Sequence, residues 1–327
     1  MAFHPDILDR APSEGVRTVV LALLADARKQ AGRLADATDA ESLHDFRVSV
    51  RRLRSTLRAW RDQLGGSVRD KDLERLRRAA RATSEARNAE VLAAWVGAIA
   101  GSLPPAHRPA ADWLAARLAQ TVQGSDLAGS VERFGGAADS LARRLERDVP
   151  PVSTGNFAAA LAEKIREQAS SVETCLSRIE TADDARLAHR ARIEGKRLRY
   201  LLEPIRGASG IRSGQAVKRL KQLQDLLGDL NDANVAAAAL REARHHAKAS
   251  RGRTRQGRPG AGLRPGLLAL ERLADRRAGR LLARLRSEVL ESRGSAILDP
   301  ALEVAAALEA RAHGPRPSGT RQRNPHS

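Results

Sequence analysis

An internal repeat constrains this chain more than any other feature. Residues 43–57, LHDFRVSVRRLRSTL, align with residues 188–202, AHRARIEGKRLRYLL, at an offset of 145. His44 matches His189, Arg47 matches Arg192 and Arg51 matches Lys196. Arg52, Leu53 and Arg54 match Arg197, Leu198 and Arg199, and Leu57 matches Leu202. A second block, RNAEV at 87–91, lies over NDANV at 231–235 at an offset of 144. Two blocks at nearly one offset in 327 residues read as two copies of one unit.

The unit reads as helical. Ala, Leu and Arg dominate, and all three favour helix. Aromatic residues, which favour strands, are 2% of the chain. Helical periodicity predicts elements over 13–37, 41–63, 70–99, 106–122 and 127–148 in the first copy. It predicts 157–180, 184–207, 213–247, 266–292 and 299–312 in the second. Gly65 and Gly66 end the second element, and DVPPVSTGN at 148–156 has the composition of a linker. The expected organisation is an all-α protein with a first helical bundle over 1–149, a second over 150–312 and a disordered basic tail over 313–327. The Gly- and Arg-rich stretch 249–266 reads as a loop.

Charge then sharpens the reading. The chain holds 57 Lys and Arg against 39 Asp and Glu, a formal net charge of +18. Such an excess favours a polyanionic partner: nucleic acid, an acidic surface or a phosphate polymer. At about 100° per residue, Arg47, Arg51, Arg54 and Arg58 fall within an arc of about 60° on one helix, beside an arc that holds Phe46, Val50, Leu53, Leu57 and Trp60. From His44 to Arg58 this stripe runs about 21 Å. His189, Arg192, Lys196 and Arg199 repeat it, beside Leu198, Leu202 and Ile205. FRVSVRRLRSTLRAW, residues 46–60, contains no acid. Neighbouring like charges on a helix repel, so a merely solvated face normally alternates its signs. Two acid-poor stripes therefore read as anion-binding faces, and arginine forks suit phosphate oxygens.

Flanking positions are less uniform. Arg52 and Arg197 fall off the stripes, toward solvent or neighbouring acids. Lys218, Lys221, Asp225 and Asp232 share a face in the second copy, where Arg75, Arg77, Arg78 and Arg81 occupy the counterpart. The acids there, and Glu203 at the place of Arg58, are expected to pair with arginines of the His189 helix. His44 and His189 could add charge below about pH 6.5, or make neutral hydrogen bonds to a neighbouring helix.

HDFRVSVRRLRSTL, HRARIEGKRLRYLLE, RNAEVL and LGDLNDANV together resemble a CHAD domain, the conserved histidine α-helical domain, over roughly residues 14–312. The resemblance rests on the paired motif His-x-x-Arg-x-x-x-(Arg/Lys)-Arg-Leu-Arg. It implies two pseudo-symmetric four-helix bundles, a basic central groove or pore that binds inorganic polyphosphate, and association with polyphosphate granules and their proteins. Carried over by position, the binding residues are His44, Arg47, Arg51, Arg54, Arg58, His189, Arg192, Lys196 and Arg199. Arg75, Arg78, Lys218 and Lys221 transfer from a less well matched block. Some relatives fuse this domain to a CYTH triphosphatase with a Glu-x-Glu-x-Lys signature; no Glu-x-Glu occurs here.

The leading expectation is a polyphosphate binder without catalysis, cofactor or bound metal. The alternative is a nucleic-acid binder that uses backbone phosphate contacts, with nucleic acid otherwise a weaker competitor. Single-strand binders need aromatic platforms, and this chain has four Phe, three Trp and one Tyr. A phosphohydrolase with His44 or His189 as acid or base would need carboxylates to hold Mg²⁺, and the motif helices offer no acidic cluster. A scaffold role for a protein partner stays open. Cys175, the only cysteine, allows neither an internal disulfide nor a cysteine zinc site. The N-terminus lacks a signal-peptide pattern, and no window approaches a membrane span. A cytoplasmic, membrane-free protein is expected.

Overall fold

A computed structural model of the chain describes residues 3–36, 38–39, 41–123, 127–148, 153–181, 184–207, 211–249, 260–290 and 295–314. Among the described residues there are helices and no strands. The first copy runs α1 (Pro12–Arg33), α2 (Ser42–Ala59), a single turn α3 (Arg61–Leu64), α4 (Asp70–Ala100), α5 (Arg108–Gln123) and α6 (Leu127–Arg147). The second runs α7 (Phe157–Leu176), α8 (Ala185–Leu202), α9 (Ser213–Ala249), α10 (Gly260–Leu285) and α11 (Ser295–His313). The order recurs, so α2 answers to α8 and α4 to α9. The all-α expectation holds. The bundle boundary at 149–150 lies outside the described residues, as do 250–259 of the Gly- and Arg-rich stretch and the tail after Gly314.

Local chemistry accounts for most helix ends. Gly65 adopts φ +53°, a conformation that L side chains disfavour, just past α3. The Asn156 carboxamide accepts from the Ala159 amide at 3.0 Å and caps α7. Pro204 turns the end of α8 into the short 3₁₀ segment Glu203–Ile205. α10 and α11 begin before the starts that the sequence predicts, with Pro265 and Pro300 inside them.

α1, α2, α6 and the first half of α4 pack around one core, as do α7, α8, α11 and the first half of α9. The apolar arc read from the sequence is that core: Phe46, Val50, Leu53 and Leu57 are fully buried, as are Leu198 and Leu202. Each such side chain contributes about 1.5–3 kcal/mol. The two cores are continuous. The Trp60 and Phe157 rings lie 5.5 Å apart across the halves. A Cβ on Gly15 would come within 2.6 Å of the Phe157 ring, so only glycine allows α1 to approach α7 this closely. Each copy also has a fifth long helix. α5 and α10 pack on each other and on the second halves of α4 and α9, around a separate core that includes Leu92, Val96, Leu114, Leu240, Leu267 and Leu270.

Candidate anion-binding cleft

α2 and α8 pack against each other where the two halves meet. Their apolar arcs turn into their own bundles, which brings the basic arcs together. A cleft of about 240 Å³ opens between them. Arg51, Arg54, Ser55 and Arg58 line it from α2, and Ile193, Lys196, Arg197 and Tyr200 line it from α8. Four of these eight residues are arginines, a fifth is Lys196, and none is an acid.

Tyr200 forms the wall. Its hydroxyl accepts a hydrogen bond from Arg51 Nε at 3.0 Å. The Arg199 and Arg52 guanidinium carbons lie 5.4 Å and 5.8 Å from its ring centroid, within cation–π range. Glu203 sits behind the tyrosine, 2.8 Å from Arg52 Nε and 3.4 Å from Arg199 Nε. The acid thus neutralises the side of the interface that faces away from the cleft. Arg197 is drawn to Glu194, with Nη1 2.9 Å from both carboxylate oxygens.

The cleft cations crowd one another. Burial, then Arg51 and Arg87, pushes the Arg47 guanidinium down to about 10. Burial, then Arg58 and Arg77, does the same to Arg54. Arg192 is lowered chiefly by burial, and Asp232 opposes the shift. Lys196 falls furthest, to about 6, through burial and then Arg51, Arg192 and Arg199. Arg54 Nε and Arg192 Nε are buried without a hydrogen-bond acceptor. A buried donor left unpaired costs about 1–3 kcal/mol. An anion in the cleft would relieve the repulsion among Arg51, Arg54 and Arg58 and offer an acceptor to Arg54; Arg192 lies outside the lining, against Gly228 of α9.

The other residues expected from the sequence fall into three places. Arg47 and Arg192 are half-buried on their stripes, and Arg47 donates to the Thr83 carbonyl. His44 is exposed near the start of α2, and His189 Nδ1 donates to Asn231 Oδ1 at 2.7 Å; neither histidine lines the cleft. Arg75 and Arg78 on α4, and Lys218 and Lys221 on α9, are exposed and outside the lining. The expected pairing of Asp225 and Asp232 with α8 arginines is not present as ion pairs. Asp232 accepts from Asn231 Nδ2 at 3.2 Å and acts on Arg192 and Lys196 through space. Glu203 does pair with Arg199, as its place on the stripe suggests.

Sequence reasoning missed Tyr200. Arg77 and Arg87 lie outside the lining, pair with Glu74 and Glu90, and act on Arg54 and Arg47 through space. Tyr200 stands four residues after Lys196, one helical turn along the same face. On α4 the buried residues are the guide: Arg78 follows Leu76 by two positions, about 200° around the helix, and so points away from the core. Arg77, about 100° from Leu76, turns to the flank beside α2. Among the described residues, no group of three or more His, Cys, Asp or Glu could hold a metal ion. None of their helices is long and apolar enough to cross a membrane.

Known proteins place this architecture. A crystal structure of the CHAD domain from the plant Ricinus communis superposes with a TM-score of 0.60, at 23% identity over 95% of this chain and 94% of that one. PptA from Streptomyces chartreusis superposes with a TM-score of 0.65, at 17% identity over 85% of this chain and 98% of that one. At such identities the likeness is one of fold. No curated protein matches the chain in sequence. The sequence model of the CHAD domain matches residues 18–241. With two thirds of its length matched by that model, the chain belongs to the CHAD domain family.

Proposed function

We propose that this protein binds inorganic polyphosphate in the cleft between α2 and α8, without catalysis. One observation carries the reading: four arginines and Lys196, drawn from the two repeats, line a single cleft that contains no acid. A flexible chain of phosphates can follow such a cleft, and its affinity arises from many phosphate contacts and from counterion release. Membership of a family linked to polyphosphate supports the same reading. The ring expected to help least with bases is the one at hand: Tyr200 is 4% exposed and covered by Arg52 and Arg199, so it offers no open face for stacking. The absence of catalysis is supported by a lining without carboxylates to hold Mg²⁺ or activate water. In a cell the protein would then follow polyphosphate to its granules.

The test is competition at one fixed salt concentration, with labelled long-chain polyphosphate against single- and double-stranded nucleic acid. Polyphosphate should win, charge for charge. Equal or tighter binding of DNA or RNA would overturn the reading in favour of a nucleic-acid binder.

A further inference from the structure

We propose that Lys196 is an acylation site for acyl phosphates, whose phosphate the cleft arginines hold while the lysine amine takes the acyl group. The geometry comes first. Lys196 is half-buried and shares the cleft with Arg51, Arg54 and Arg58. Among the described residues it makes no ion pair with a carboxylate. The charges that act on it are Arg51 from α2, Arg192 and Arg199 from its own helix, and Asp232 from α9. The nearest acids along the chain are both engaged elsewhere: Glu194 by Arg197 and Gln168, and Glu203 by Arg52 and Arg199.

Those surroundings push the amine down to about 6, so most of it is free base at pH 7.5. An ordinary lysine, near 10.4, holds only about one part in a thousand as free base there. Desolvation beside other cations is a recognised way to make a lysine nucleophilic. The reaction balances without a further reagent. The Nζ lone pair forms a C–N bond to the acyl carbon, and the carbon–oxygen bond to phosphate breaks. Phosphate leaves with that electron pair, and the proton lost by nitrogen passes to solvent. The product amide can no longer be protonated, so the cleft loses a position that a bound anion would otherwise make cationic. The inference needs the cleft to hold a phosphate group; it does not need polyphosphate as the natural occupant.

The probe is acetyl phosphate on the full-length protein at pH 7.5, with acetylation at each lysine followed by peptide mass spectrometry. Lys196 should react at least about tenfold faster than the exposed Lys218 and Lys221, the gain in free amine outweighing its lower intrinsic nucleophilicity. A neutral reagent, N-acetoxysuccinimide, separates anion capture from amine reactivity. In an Arg58→Gln variant, where the lost side chain is exposed and outside the core, the ratio of the two rates at Lys196 should fall about fivefold. Lys196 reacting no faster than the exposed lysines, or a ratio that does not move in Arg58→Gln, would overturn the inference. Added polyphosphate that fails to slow labelling at Lys196 would count against the proposed function alone.

Discussion

Arg51 on α2 donates from Nε to the hydroxyl of Tyr200 on α8 at 3.0 Å, joining the two repeats at the wall of the cleft. Under the repeat offset the counterpart of this pair is Lys196 with Ser55, and both of those residues line the same cleft. One contact thus has two versions: a long arginine meeting a tyrosine, and a lysine with a serine that leaves it without a comparable partner. The asymmetry fixes Arg51 and leaves the Lys196 amine available.

Removing only the hydroxyl tests the first half of that statement. Tyr200→Phe keeps the buried ring and takes away the acceptor of Arg51. Stability should fall by about 1 kcal/mol, the usual net worth of such a bond, read as a lower denaturant midpoint at constant slope. Polyphosphate should bind severalfold more weakly, because Arg51 must then be ordered on binding. Unchanged affinity would mean that Tyr200 plays no part in holding Arg51.

The buried pair Arg144–Asp72 carries a larger consequence. Arg144 Nη2 reaches Asp72, while its Nε donates to the Ser67 carbonyl at 3.1 Å. Asp72 also accepts from the Arg69 amide at 3.0 Å. The two side chains are 8% and 1% exposed. Breaking such a pair from one side strands a buried charge, so Arg144→Met should cost about 3–5 kcal/mol in thermal or chemical denaturation. The double variant Arg144→Met/Asp72→Leu should recover part of that loss. A single variant as stable as the parent would show that the pair is not formed in solution.

Much of this was legible in the sequence, and the rest was hidden for identifiable reasons. The 3.6-residue pattern gave the helices and the buried arc of α2, because periodicity is a local property. The repeat showed that Arg47, Arg51 and Arg54 have partners in kind, but an offset cannot tell whether two equivalent faces meet. Tyr200 carries no local mark of its role, because its hydroxyl meets Arg51 from 149 positions away. Arg75 and Arg78 were transferred as counterparts of Lys218 and Lys221, and all four stand exposed outside the cleft lining because sequence alone does not orient α4 and α9 toward α2 and α8. Arg144 and Asp72 are 72 positions apart, and nothing local marks them as a buried pair among so many surface charges.

The pH dependence of binding should be set by Lys196. In the free protein its amine titrates at about 6. A bound polyanion favours the charged form and raises that value. Below about pH 6 the lysine is already charged and binding draws no proton; above it, binding must take one up. Affinity should therefore be greatest at low pH and decline as pH rises above about 6, until the pKa of the bound state is passed. Calorimetry at pH 7.5 in buffers of different ionisation enthalpy should show proton uptake, and Lys196→Arg should abolish most of it. Binding at pH 7.5 with no proton uptake would show that Lys196 stays neutral beneath the anion.

Charge reversal decides whether the cleft or diffuse charge holds the partner. Arg51→Glu and Arg54→Glu place an acid inside the lining, while Lys218→Glu and Lys221→Glu make the same change of charge on the exposed face of α9. If long-range attraction dominated, the two pairs would weaken polyphosphate binding alike, since each alters the net charge equally and salt screens both. If the cleft holds the chain, the first pair removes fixed contacts on a helix whose backbone is already ordered. Affinity should then fall by at least about a hundredfold for the double reversal on α2, about 2.7 kcal/mol, and only severalfold for the double reversal on α9. The salt dependence should flatten more on α2 as well, because fewer phosphates are neutralised there. Thermal stability should change little in the α2 variant, since an acid relieves repulsion between Arg47 and Arg58 while the lost bond from Arg51 to Tyr200 costs about 1 kcal/mol. Equal losses for the two pairs would place the polyanion outside the cleft, over the basic surface at large.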